Sequence, residues 1–157
     1  MKITLKIVFG AIVIFAILAA ISPTVAWSGG ATARIKFTVI DDDSSRPIPQ
    51  AEVIFLSESY QKSLDVLKPE ERESLLKHLE GYATTDKKGS CEITRMFGAG
   101  GGTFLFRRTG NLYIEGPVTI RAEGYTQSSN LIQNYLGKKK FPLSERNHDI
   151  TIYLKKK

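Results

Sequence analysis

The sequence predicts an all-β fold made of short strands, each with one wet face, and one short helix inserted between them. Three observations carry this reading. Val118, Ile120 and Ala122 fall on one side of a period-2 pattern while Thr119, Arg121 and Glu123 fall on the other, which describes a half-buried strand. The same alternation returns in residues 34–41 and 150–154. The stretches between are rich in Asp, Ser, Gly and Pro, whose side chains and backbone preferences make turns.

The chain has 157 residues, 42% of them hydrophobic, enough for one ordinary domain with a real core and a short appendage. The appendage is residues 1–27, with a basic start at Lys2 and Lys6, an uncharged apolar run over 7–21, and then Ser22-Pro23-Thr24-Val25-Ala26. That order predicts a secretory signal cut after Ala26. Residues 7–27 are also just long enough to cross a hydrocarbon layer of about 30 Å, so a retained membrane anchor is the alternative. Either way the remainder is expected outside the cytoplasm, periplasmic or secreted, because Lys2 and Lys6 hold the N-terminal end inside. Of 22 basic residues, 20 lie beyond the leader against 16 acidic ones, a mild excess that favours anionic neighbours such as lipid headgroups. Cys91 is alone, so no internal disulfide forms, and its alternation with Ile93 makes it a buried small apolar group.

In order, residues 28–33 are small and read as a linker to the domain at 34–157. In the first strand Ile35, Phe37 and Val39 face inward. Residues 41–50 hold three aspartates, two serines and two prolines and read as a connection. Residues 51–56 are apolar on both faces and predict a strand covered on both. Residues 68–79 predict the helix, with Pro69 in the first turn, acidic residues early and Lys77 and His78 late. Leu75, Leu76 and Leu79, with Leu64, Val66 and Leu67, make its apolar stripe, laid on the strands or offered to a partner. Residues 81–93 read as strand, tight turn and strand, with Asp86 and Gly89 supplying the turn chemistry. Gly98 to Gly102 reads as a mobile loop, and Arg107-Arg108 as the tip of a further hairpin. Residues 131–136 allow one helical turn.

Candidate chemistry is sparse. Asp41, Asp42 and Asp43 supply oxygens of the kind calcium wants, but consecutive carboxylates rarely converge on one ion. The glycine run lacks the Gly-Lys-Ser/Thr of a phosphate cradle and the spaced glycines of a dinucleotide fingerprint. His78 and His148 are expected as a helix-end cation or surface residue and as the polar start of the last strand. Neither belongs to a His-x-x-Glu pair, so no zinc centre, other metal or cofactor is predicted. What remains is basic: Arg107, Arg108, Lys138, Lys139 and Lys140, with Lys155 to Lys157, form a candidate anion-attracting surface for an envelope component or partner protein. Nucleic acid is not an expected partner, since no reader motif is present.

Taken together, Pro47-Ile48-Pro49-Gln50-Ala51-Glu52-Val53, Thr85-Asp86-Lys87-Lys88-Gly89 and Val118 to Tyr125 stand in the order of the carboxypeptidase regulatory-like domain, a transthyretin-like β-sandwich. The sequence resembles that family over residues 34–154, with Gln50 where the family usually has glycine. The resemblance implies a Greek-key β-sandwich of about seven strands and a non-catalytic accessory or cell-surface role. Two relatives of the same architecture are expected to differ. A transthyretin-like hydroxyisourate hydrolase needs a C-terminal Tyr-Arg-Gly-Ser, whereas this chain ends Tyr153-Leu154-Lys155-Lys156-Lys157. An adhesin-type surface repeat with a Lys–Asn crosslink would use a lysine such as Lys36, but Lys36 alternates outward and residues 150–154 hold no Asn.

Overall fold

A computed structural model of the chain describes residues 8, 10, 12–14, 25–56, 58–76, 78–104 and 107–157. Most of the leader lies outside the described residues. No helix among those described is long and apolar enough to cross a membrane.

Two sheets face each other across a shared core. The five-stranded sheet has the order β8 (Lys140–Pro142), β5 (Arg107–Tyr113), β4 (Ser90–Phe104), β1 (Val25–Asp41) and β9 (Asn147–Leu154). The four-stranded sheet has the order β3 (Tyr82–Thr84), β2 (Glu52–Ile54), β6 (Pro117–Arg121) and β7 (Ser128–Leu131). After β1 the chain places strands two at a time in alternate sheets, so the two layers are stitched together by four crossings. Nine strands among the described residues exceed the seven expected, because β7 and β8 come from polar segments without a legible alternation. The sheets are not wholly antiparallel: β9 runs parallel to β1, from Arg34 opposite Asn147 to Asp41 opposite Leu154.

The core follows the alternation. Ile35, Phe37 and Val39 of β1 are sealed from solvent together with Ile150, Ile152 and Leu154 of β9, Ile93 of β4, Val53 of β2 and Val118 and Ile120 of β6. Burying each such side chain contributes roughly 1.5–3 kcal/mol. Cys91 packs half-buried against this cluster, and desolvation pushes its thiol up to about 12. Thr119, expected to face water, is buried and shares a hydroxyl contact with Ser129 at 3.1 Å.

The helical insert is a pair, α1 (Glu58–Asp65) and α2 (Pro69–Leu76), where one helix over 68–79 was expected. Leu64 and Leu76 are buried, whereas Val66 and Leu75 point out, so the apolar stripe is narrower than the sequence implied. The pair belongs to the outer face of the four-stranded sheet: Arg72 reaches Glu52 at 3.7 Å, and Ile54 on that face is buried apart from the main core. The single helical turn at α3 (Ile132–Leu136) is as expected, closed by Gly137.

Two segments differ from the expectation for one reason. Residues 28–33, expected as a linker, and 98–102, expected as a mobile loop, are strand, and Val25, Ala26 and Trp27 stand in the same strand: all lie in the long pairing of β1 with β4, from Val25 opposite Thr103 to Thr38 opposite Ser90. Strands built mostly of glycine and alanine carry few side chains large enough to alternate, so their backbone pairing leaves little trace in hydropathy. Residues 81–93 are strand, tight turn and strand as expected, and the two strands belong to different sheets: β3 pairs with β2 and β4 pairs with β1. The turn at 86–89 therefore carries the chain between the sheets.

Candidate functional site

At one end of the molecule the turn chemistry is spent on holding the fold. Asp41 ends β1, and its Oδ1 accepts the N–H groups of Asp43 (2.9 Å) and Ser44 (3.0 Å). Its Oδ2 accepts the hydroxyl of Tyr125 at 2.9 Å and meets the Lys156 ammonium at 3.1 Å. The Ser44 N–H first, then Tyr125, Lys156 and Asp43, hold the Asp41 carboxyl well below the usual carboxylate range against the opposing effect of burial. The same hydroxyl contact pushes Tyr125 above its ordinary value. Asp41 is thus occupied, and no group of three or more potential metal ligands occurs among the described residues.

Next to it, Thr85 is buried and its Oγ1 both accepts the Ala51 N–H (2.8 Å) and donates to the Ile48 carbonyl (2.7 Å). Asp86 accepts the N–H groups of Ser90 (2.9 Å) and Lys88 (2.8 Å), which lower its carboxyl below the ordinary range. Gly89 has a positive φ of 68°, and a Cβ there would press on the Val39 carbonyl and Pro47. Gln50 also sits at positive φ, 58°, where a glycine would rest without strain.

The opposite end is a three-stranded ribbon of 25–33, 95–104 and 107–113. Its base is in the core through Ala33, Phe97, Ala99 and Leu112, and in 26–32, 100–103 and 108–111 no described side chain is buried, so that part projects from the sandwich. On its inward-continuing face Trp27, Gly101 and Gly110 stand side by side on three strands. The Trp27 indole lies over the glycines, where a Cβ at Gly110 would come within 2.7 Å of Trp27 Cζ2, and its Nε1 donates to the Thr109 carbonyl at 3.3 Å. The Arg108 guanidinium stacks on that ring, 3.5 Å from its centroid. Nearer the core, Arg95 rests on Phe55 and Phe97, 4.8 and 5.4 Å from their centroids, and donates to the Phe55 carbonyl. Burial lowers Arg95 from the ordinary arginine value, with Glu80 opposing.

The basic residues do not form one surface. Arg107 and Arg108 begin β5; the turn before them, residues 105–106, lies outside the described residues. Lys140 pairs with Tyr113, five residues along β5 from Arg108 and so about 17 Å away. Lys138 meets Glu145 at 3.9 Å and lies over Phe141, 4.7 Å from the ring centroid, while Lys139 is exposed. The terminal lysines are at the Asp41 end, separated from Arg108 by most of a strand of roughly 50 Å.

His78 is exposed after α2. His148 is not a wet strand start: it faces inward on β9, edge-on to Phe141 with centroids 4.4 Å apart. Its Nδ1 is 3.9 Å from Glu145, and its Nε2 is buried without a hydrogen bond among the described residues. Lys36 is exposed on the outer face with Glu92 and Asp149 as cross-strand neighbours. Trp27 and Arg95 were missed by sequence reasoning; the signal for Trp27 was its place after the apolar run in a chain with one tryptophan.

No family model matches the chain, and no curated protein does. Among solved structures it is similar to the shaft pilin SpaA from Lactobacillus rhamnosus GG, as a double mutant (12% identity, 81% of this chain, 50% of that chain, TM-score 0.29). The second such structure gives the same identity and coverage with a TM-score of 0.27. The chain therefore spans about half of the pilin chain it matches.

Proposed function

We propose that this is an exported, non-catalytic β-sandwich module of the carboxypeptidase regulatory-like type that works at the cell envelope by binding or structural support. The family reading is supported by the turn geometry: Gln50, at the family's glycine position, has the positive φ that glycine accepts, and the Thr85-Asp86 and Gly89 positions carry the hydrogen bonds and tight approach that fix the crossing. The contact surface is the ribbon end. The observation that carries this is the Trp27–Arg108 stack, an exposed cation on an indole in a stretch where residues 95–111 contain three arginines and no acid. Loops and strand ends at one end of a rigid sandwich are where binding groups are tolerated, because they are not needed for the core.

Fractionation of cells making the full chain tests the proposal. The protein is expected in the envelope fraction, and the double variant Arg107→Glu, Arg108→Glu is expected to be released from it by salt more readily than the parent. Recovery of the parent from the cytosol, or equal release of both, would remove this reading.

A further inference from the structure

Resting on that envelope reading, we infer that the ribbon end docks on an anionic lipid surface, with Trp27 and Arg108 at the headgroup level. Three observations choose this partner. The chain enters the fold at the ribbon end, Val25 opposite Thr103, and only three residues separate Val25 from Ile21, the last of the uncharged apolar run over 7–21. Connectivity alone keeps Ile21 within about 15 Å of Val25, whatever path those residues take. The described apolar side chains of that run, Val8, Ile12, Val13 and Ile14, are 40–61% exposed, a surface that lipid would cover.

Charge points the same way. Residues 25–33 and 95–111 hold Arg95, Arg107 and Arg108 and no acidic residue, whereas at the opposite end cations and acids are mixed, Asp41 paired with Lys156 and Asp86 beside Lys87 and Lys88. A bilayer carrying anionic headgroups attracts the ribbon end, whose arginines have no acidic residue in those stretches to repel it, while the aspartates of the far end are kept in water. Tryptophan and arginine are the residues that settle at this depth, the ring in the interface and the cation among phosphates. The glycine at 110 matters here because it lets the ring lie half-buried against the ribbon, with Arg108 stacked over its face.

The test uses the full chain with an environment-sensitive thiol dye at Thr109→Cys, and in a second sample at Lys87→Cys on the far turn. Cys91, its thiol raised by burial, stays unlabelled at pH 7. Each sample is mixed with vesicles of phosphatidylcholine alone or with added phosphatidylglycerol. Dye at position 109 is expected to shift to the blue on phosphatidylglycerol vesicles only, to lose that shift in the Arg107→Glu, Arg108→Glu background, and dye at position 87 is expected to stay aqueous throughout. Equal shifts on both vesicle types, a shift that survives the charge reversal, or no vesicle association would each overturn the inference. If the protein is in the envelope fraction of cells but shows no lipid-dependent shift, the lipid partner is wrong and the envelope reading stands; recovery from the cytosol fails both.

Discussion

Thr85 and Asp41 each do with one side chain what a longer loop would otherwise need several residues to do. Replacing Thr85 by Val keeps the shape but leaves the Ala51 N–H and the Ile48 carbonyl without their partner in a buried place. Unpaired buried backbone groups cost about 1–3 kcal/mol each, so with two of them Thr85→Val is expected to destabilise the protein by about 2–6 kcal/mol, read from the shift of the urea midpoint. Asp41 makes a different prediction, in pH. Its carboxyl is held below the ordinary range in the fold, so the charged form is the one that stabilises. That contribution is complete above an unfolded value of about 4 and is lost as pH falls below it toward the lower folded value. Asp41→Asn is therefore expected to lower the urea midpoint at pH 7 and to reduce the further loss between pH 5 and pH 3. An unchanged acid slope in the variant would mean that other carboxylates, Asp86 first among them, set the acid limit.

Among the elements, those with alternating side chains were legible and those held by backbone alone were not. Residues 34–41 and 150–154 could be read as strands because burial repeats every second residue there, and 118–121 because its residue types alternate, although Thr119 is buried as well. The parallel direction of β9 could not, since period 2 is the same for either direction. The ribbon escaped notice for a stronger reason: glycine is poor in strands on propensity, and its value here lies in what it lets come close. A Cβ at Gly101 would strike the Thr109 carbonyl, and one at Gly110 the Gly100 carbonyl and the Trp27 ring. Of the candidate site, Arg107 and Arg108 were legible as charge, while the ring on which Arg108 rests could not be placed without the strand register. Gly110→Ala is accordingly expected to displace the Trp27 ring and red-shift its emission. Overpacking of this kind costs about 1–3 kcal/mol, which should appear as faster amide exchange in 26–30 and 100–103 rather than in the core strands.

For the molecule as a whole, the consequence is two regions of unequal strength on one continuous sheet. Ile35, Phe37, Ile150 and Ile152 are closed off between both layers, so their strands open only when the whole sandwich unfolds. The ribbon beyond Ala99 and Leu112 shares β1 and β4 with them but among its described side chains has one ring and one stacked guanidinium, with backbone hydrogen bonds exposed to water. Such hydrogen bonds contribute about 1 kcal/mol or less each once water competes, and no second sheet covers them. The ribbon should then peel from its free end while the sandwich persists. The chain's one tryptophan lies on the ribbon, so its fluorescence reports the ribbon and far-UV circular dichroism reports the sheets together. In a urea titration of the full chain free of lipid, the Trp27 emission change is expected at lower urea than the loss of circular dichroism, a departure from two-state coincidence. Coincident midpoints would mean that ribbon and sandwich unfold as one unit, and the stack of Arg108 on Trp27 would then be holding more than its exposed position allows.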